Sequence, residues 1–217
     1  MIDFTAAREA MVDRQIRPAD VTRYALIEAM LETPREQFVP RQKRPVAYAG
    51  AEIEVAPGRF LLEPRVLAKM LDAAAIGPRD LVLELAPATG YSTALIARMA
   101  EAVIAVEPDR ALAAQAQEAM ARLEIDNAVV STGDPAGGDP GHAPFDVIAV
   151  NGAVERLPEI LTDQLRDGGR LVAIFLEDGR SQCRVVTRSG NGLSERYLFD
   201  GAAPLVAGFE RPEAFSF

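Results

Sequence analysis

The sequence predicts an α/β protein: a mainly parallel sheet with helices on both faces, preceded by an N-terminal helical extension. Two observations predict it. From Leu81 onward, short apolar runs of strand composition alternate with segments of helical composition, an order that joins parallel strands by crossover helices. The stretch Leu81-Val-Leu-Glu-Leu-Ala-Pro-Ala-Thr-Gly-Tyr91 then joins a buried strand to a helix through a tight turn of small residues. Backbone N–H groups in such a turn can approach a bound ligand closely. In open sheets of this kind ligands bind outside the carboxyl ends of the strands.

Residues 3–32 have helical character in two pieces, Arg8–Ile16 and Val21–Glu32, interrupted by Pro18-Ala-Asp20. Pro34, Pro40 and Pro45 punctuate an extended region that runs to about Pro64. Arg65–Ala75 restores a helical pattern with Val66, Leu67, Met70 and Leu71 on one face, and Gly77-Pro78 stops it. Strand Leu81–Leu85 is followed by helix Ser92–Met99, and strand Ala102–Val106 by helix Arg110–Leu123. Ala128–Ser131 and Val147–Val150 read as the third and fourth strands, separated by a loose Gly/Pro-rich segment from Gly133 to Pro144. Leu157–Leu165 reads as a helix closed by Asp167-Gly-Gly169, and Leu171–Phe175 as a fifth strand. Cys183–Thr187 and Glu195–Phe199 form an antiparallel pair around Ser189-Gly-Asn-Gly192. The organisation is therefore an extension with a loop over residues 1–76 and an α/β core over 77–217, packed as one compact unit.

Composition narrows the function. The chain has 217 residues, of which 49% are hydrophobic, enough for one domain with a substantial core. No apolar run reaches bilayer length, and the start lacks the basic-then-apolar order of a signal peptide. A single cysteine, Cys183, excludes an internal disulfide and suits the cytoplasm. With only His142 beside it, a zinc or iron–sulfur centre lacks ligands, so no metal is expected. The net charge of −9 argues against sequence-independent nucleic-acid binding, which needs basic surface. Arg35, Arg41, Lys43 and Arg44 cluster, but Glu32 and Glu36 interleave them, and the cluster reads as a solvated face. The apolar tail residues Phe209, Phe215 and Phe217 suit either a core cover or a second subunit, and the oligomeric state stays open.

Four features fall at successive strand ends: the Ala86–Gly90 turn, Glu107, the pair Gly133-Asp134, and Asn151. A carboxylate at Glu107 can accept both hydroxyls of a ribose, and Asp134 can accept from the exocyclic amine of a base. Acids at these places repel phosphate, so a nucleotide-like cofactor with little or no phosphate fits. Plainer readings stand beside these. Glu84 also suits ending a buried strand by pairing with a backbone amide, and Phe60, Leu61 and Leu62 are more often core filler than an apolar substrate pocket. Tyr91 suits packing of the turn, His142 an exposed loop, and Cys183 an inert strand position.

Several motifs follow one another in order along nearly the whole chain: Met11-Val-Asp-Arg-Gln-Ile16, Pro34-Arg-Glu-Gln-Phe-Val-Pro40, Ala47-Tyr48-Ala49, Phe145-Asp-Val-Ile-Ala-Val150, Leu157-Pro-Glu-Ile-Leu161 and Gln164-Leu-Arg-Asp-Gly-Gly-Arg-Leu-Val172. In these the chain resembles the protein-L-isoaspartate O-methyltransferase family of class I S-adenosylmethionine-dependent enzymes, which have a Rossmann-like fold. The resemblance implies methyl transfer from S-adenosylmethionine to the free carboxylate of an isoaspartyl residue in a protein or peptide, the first step of its repair. It implies that Glu84 and the turn containing Ala86, Ala88 and Gly90 hold the methionine part of the cofactor, Glu107 the ribose, and Asp134 the adenine. Gly133 and Asn151 complete the cofactor set.

The chain departs from the family at two places. Ala86 and Ala88 stand where the family has glycine, which alanine can replace if φ is negative. The family's substrate loop, Gly-Gln-Thr-Ile-Ser-Gln-Pro, is matched by Gly58-Arg-Phe-Leu-Leu-Glu-Pro64. Arg59, Phe60 and Leu62 then face the substrate, with Phe60 at the threonine position and Leu62 at the serine position, so no catalytic residue is assigned. A carboxylate that loses a hydroxyl donor forfeits roughly 1.5–3 kcal/mol. Three functions are compatible with the pattern: an isoaspartyl carboxyl methyltransferase, a methyltransferase with another acceptor, and a non-catalytic partner-binding protein on the same fold.

Overall fold

A computed structural model describes residues 2–211; Phe215 and Phe217 lie outside the described residues. Helix α1 (Phe4–Met11) starts four residues earlier than the sequence predicts, because the Asp3 carboxylate caps it by accepting the Ala6 N–H at 3.0 Å. Its continuation passes through a π-helical turn (Val12–Ile16) and a 3-10 turn (Arg17–Ala19), and Asp20, at φ 63°, ends it. Helix α2 (Tyr24–Glu32) buries Leu26, Ile27, Ala29 and Met30. The expected extended region is partly coiled instead, with 3-10 turns at Arg35–Gln37 and Arg41–Val46. It then forms a hairpin of β1 (Ile53–Ala56) and β2 (Arg59–Leu61), turned at Pro57-Gly58 with Gly58 at φ 69°. Helix α3 (Pro64–Ala74) opens on a proline, which costs nothing where its N–H has no partner to lose.

The core is a seven-stranded sheet built from β3 (Leu81–Leu85), β4 (Ala102–Glu107), β5 (Ala128–Thr132), β6 (Phe145–Val154), β7 (Leu165–Glu177), β8 (Arg180–Ser189) and β9 (Gly192–Asp200). Their spatial order is β5-β4-β3-β6-β7-β8-β9. The five strands from β5 to β7 are parallel, and β8 and β9 close the sheet antiparallel. Helices α4 (Tyr91–Ala97) and α5 (Arg110–Arg122) connect the strands on one side of β3, and α6 (Glu159–Asp163) connects β6 to β7. The last helix is shorter than expected because Pro158 lies at its cap, and the chain re-enters the sheet at Leu165, so Gly168-Gly169 belong to β7.

Strand residues alternate between two apolar layers. Val82 and Val147 join one, while Leu83, Leu85, Ile148 and Val150 join the other. The first layer also contains Met11, Ile16, Leu26 and Met30, so the N-terminal extension shares the core's interior. Phe209 is fully buried in the second layer. Among the described residues, no helix is long and apolar enough to cross a membrane, and no cluster of ligand-bearing side chains could hold a metal ion.

One expectation fails at Arg35. It does not belong to the solvated basic face; its side chain is fully buried. The guanidinium donates to the carbonyls of Ala47 at 2.8 Å and Leu62 at 2.7 Å, and lies 4.7 Å from the centre of the Tyr91 ring. Carbonyl acceptors and a π-face compensate the buried charge where no carboxylate is in contact. Burial pushes its pKa down, against the favourable influence of Tyr91 and Tyr48.

Candidate active site

The chain runs outward from β3 through β4 to β5 in one direction, then returns to place β6 on the other side of β3. This reversal opens a crevice beyond the carboxyl ends of β3 and β6, where an α/β sheet receives its ligands. The Ala86–Gly90 turn, Glu107 and Asn151 meet there, and Gly133-Asp134 follows β5 at the next strand beyond β4.

Glu107, the last residue of β4, folds its carboxylate back over the turn. It is fully buried and accepts the N–H of Ala88 at 2.7 Å and of Asp109 at 3.1 Å. Its third donor is Arg59 of the hairpin, whose Nη2 lies 2.8 Å from Oε2. Burial pushes the Glu107 carboxyl up, while the Arg59 guanidinium and the two backbone N–H groups act against that rise. The same Arg59 nitrogen donates to the Ala86 carbonyl at 3.2 Å, and Asn151 Nδ2 approaches that carbonyl at 3.4 Å. Asn151 Oδ1 is buried without a hydrogen-bond partner.

The turn itself is tightly made. Ala86 and Ala88 have φ of 60° and 55°, so the negative φ expected to let alanine replace glycine is not present. Both methyl groups are carried in a left-handed conformation that disfavours Cβ, which the surrounding contacts hold in place. Gly90, at φ 88°, is a glycine for a second reason: a Cβ there would lie 2.9 Å from the Cβ of Ala116 on α5. Thr89 donates its hydroxyl to the Phe38 carbonyl at 2.6 Å, tying the turn to the N-terminal extension.

Glu84 lies beneath the turn. Thr93 Oγ1 donates to its Oε2 at 2.6 Å, while Oε1 has no partner. Burial raises its pKa to about 7, opposed by the hydroxyls of Ser92 and Thr93. Asp134 is exposed and caps a 3-10 turn, Pro135–Gly137, by accepting the Ala136 N–H at 3.0 Å. Gly133 packs against Val106, where a Cβ would come within 3.0 Å of that side chain.

Phe60 and Leu62 line a cavity of about 80 Å³ beside Arg59 and Asn151, closed on its far side by Pro204–Ala207. Leu61 and Leu62 are core residues as well, at 2% and 1% exposure, and Leu62 belongs both to the core and to the cavity wall. A larger cavity of about 700 Å³ lies on the other side of the turn, between Phe38 and α5. It shares only Thr89 with the strand-end crevice, and none of the residues at the carboxyl ends of β4 and β6 reach it.

Tyr91 is buried and packs edge-on to Phe38, with ring centres 5.5 Å apart. His142 is exposed and its Nδ1 lies 3.0 Å from Asp139. Cys183 is buried, and burial pushes its thiol up to about 12, away from reactivity at neutral pH. Sequence reasoning missed the contact of Arg59 with Glu107 and the closing segment Pro204–Ala207. The Pro57-Gly58 pair is a turn signal that locates the hairpin, but nothing local tells where the hairpin docks.

The arrangement suits the nucleoside part of a cofactor: a buried acid at the end of β4, a small-residue turn after β3, and an unpartnered acceptor on Asn151. Comparison with known proteins identifies the family. Residues 6–198 match the family model described as protein-L-isoaspartate(D-aspartate) O-methyltransferase. A protein-L-isoaspartate O-methyltransferase of Roseiflexus castenholzii is 35% identical over 211 residues, covering 95% of each chain. One from Koribacter versatilis is 37% identical over 205 residues, covering 94% of this chain and 92% of the relative. Among solved structures, a protein-L-isoaspartate O-methyltransferase superposes with a TM-score of 0.81 at 25% identity, over 93% of this chain and 66% of that one. A Plasmodium falciparum structure, described as a protein of the same kind in complex with S-adenosyl-L-homocysteine, superposes with a TM-score of 0.78. At 21% identity, over 94% of this chain and 97% of that one, it supports the fold alone.

Proposed function

Because the chain belongs to the protein-L-isoaspartate(D-aspartate) O-methyltransferase family, we propose that it is an S-adenosylmethionine-dependent carboxyl O-methyltransferase acting on isoaspartyl residues of proteins. The observation that carries this reading is the match to the family model over residues 6–198. The placement of Glu107 against the Ala86–Gly90 turn supports it.

S-adenosylmethionine, when bound, supplies an electrophilic methyl group on a sulfonium. Glu107 is the residue to accept the ribose hydroxyls, and the turn over Ala86, Ala88 and Gly90 the one to carry the methionine part. Asp134 and Gly133 border the adenine end. Asn151 Oδ1, buried and unpartnered, offers an acceptor toward the methionine end. Glu84 supports the turn from below through Thr93.

The acceptor needs no general base, because the free carboxylate of an isoaspartyl residue, its α-carboxyl, is already ionised at neutral pH. The protein's part is to orient that carboxylate and strip its water. Phe60, Leu62 and Val206 give the cavity apolar walls for this purpose. Attack joins an anion to a sulfonium and leaves two neutral products, so a dry cavity favours the step.

The apolar Phe60 and Leu62 also favour a second reading, in which the same chemistry serves a different acceptor. An isoaspartyl peptide incubated with the protein and methyl-labelled cofactor separates the two. Base-labile label on the isoaspartyl peptide, and none on its aspartyl isomer, is the expected result. Label found only on other molecules favours the second reading, and label on nothing contradicts both. A single buried cysteine is in keeping with a cytoplasmic location.

A further inference from the structure

We propose that Arg59 is a carboxylate-exchanging specificity residue: it holds Glu107 until a cofactor ribose displaces it, then binds the carboxylate of the methyl acceptor. This inference rests on the function proposed above.

The count of hydrogen bonds requires a displacement. An ionised carboxylate has about four acceptor sites. In Glu107 three are already taken, by Ala88 N–H, Asp109 N–H and Arg59 Nη2. Two ribose hydroxyls would make five. The Ala88 and Asp109 donors are backbone groups, fixed by the turn and by the end of β4. Arg59 is the one donor on a rotatable side chain, so it is the one to leave.

Space leads to the same conclusion. The turn is closed over, with Ala86 at 1%, Ala88 at 0% and Thr89 at 6% exposure, and the adjoining cavity holds about 80 Å³. Ligand pockets run from about 300 Å³ upward. The Arg59 side chain lies between Glu107 and the Ala86 carbonyl, so its withdrawal opens the place where a nucleoside belongs.

A displaced guanidinium requires water or a new anion, because an unpaired charge against apolar walls is costly. Its neighbours along the cavity are Phe60, Leu62, Pro204 and Val206, with Asn151 the other polar side chain. Among the described residues Arg59 is the only cation lining this cavity, and its planar fork suits a carboxylate. Arg59 thus provides the charged donor that Phe60 and Leu62 cannot. The exchange also sets an order, cofactor first and acceptor second.

The test is calorimetric titration with S-adenosylhomocysteine and steady-state methylation of an isoaspartyl peptide, both at pH 8, for the unmodified protein and Arg59→Ala. Removing Arg59 is expected to act in opposite directions: S-adenosylhomocysteine binds about tenfold or more tightly, and the peptide KM rises about tenfold or more. Arg59→Lys, which keeps the charge, restores part of the peptide KM. Should the alanine variant not fold, Arg59→Gln gives the same two readouts. Unchanged or weakened S-adenosylhomocysteine binding overturns the exchange, as does an unchanged peptide KM, while the methyltransferase reading stands on the unmodified protein. Failure of every variant and of the unmodified protein to bind S-adenosylhomocysteine overturns that reading and the exchange together.

Discussion

The carboxyl of Glu84 lies in the sheet interior under α4, with one oxygen bonded to Thr93 and the other unpartnered. Burial raises its pKa from 4.5 to about 7. Between those values the folded protein keeps a proton that the unfolded chain has released. Stability from this residue is therefore full below pH 4.5 and declines as pH rises toward 7. Across that window the loss amounts to about 3 kcal/mol. Glu84→Gln imitates the protonated acid, so it should match the parent near pH 4 and exceed it by up to about 3 kcal/mol at pH 8. Urea unfolding at the two pH values measures this directly. An identical pH dependence in both proteins would show that Glu84 is not the titrating group.

At the scale of elements, the N-terminal extension shares an apolar layer with the sheet, and buried polar contacts tie its own segments together. Arg35 links the 3-10 turn at Arg35–Gln37 to the Ala47 and Leu62 carbonyls. Arg35→Met keeps most of the volume but orphans both carbonyls, and should cost about 3–6 kcal/mol, since hydrogen bonds to charged groups contribute about 1.5–3 each. A shift in the urea midpoint at constant slope is the readout, and a loss under about 1 kcal/mol would mean that water replaces the guanidinium. Leu62, at 1% exposure, carries a related constraint. Leu62→Ser restores a hydroxyl typical of the family but also empties part of the core, so a loss of about 2–4 kcal/mol in unfolding free energy is expected. A neutral result would show that the segment repacks.

The strands were legible in the sequence because buried parallel strands are written as continuous apolar runs, as at Leu81–Leu85 and Ala102–Val106. The helices of the extension were legible from their spacing, although Asp3 as a cap moved the start of the first. The hairpin was not, because its two short strands resemble the proline-broken chain around them. Arg35 was misplaced for a physical reason: a charged residue among other basic residues belongs on the surface unless acceptors are gathered around it. Those acceptors, at Ala47 and Leu62, lie 12 and 27 residues further along and are gathered only by folding. The positive φ of Ala86 and Ala88 and the direction of Arg59 are likewise products of tertiary docking.

Viewed as a whole molecule, the sheet reversal beside β3 gathers a turn, an acid and an amide from three neighbouring strands, and the hairpin lays a cation across them. Ligand binding at such a place must raise stability, because the unfolded chain has no site. At 100 times its dissociation constant, S-adenosylhomocysteine should add about 2.7 kcal/mol, or about 5–10 °C in melting temperature for a chain of this size. Differential scanning fluorimetry with and without ligand reads this shift, and its absence at saturating ligand would contradict a binding site coupled to the fold. A crystal structure of the protein with S-adenosylhomocysteine tests the central claim most directly. It should place both ribose hydroxyls on Glu107, with Arg59 withdrawn from that carboxylate. A ligand bound elsewhere, or a ribose on Glu107 with Arg59 still paired to it, would contradict the account.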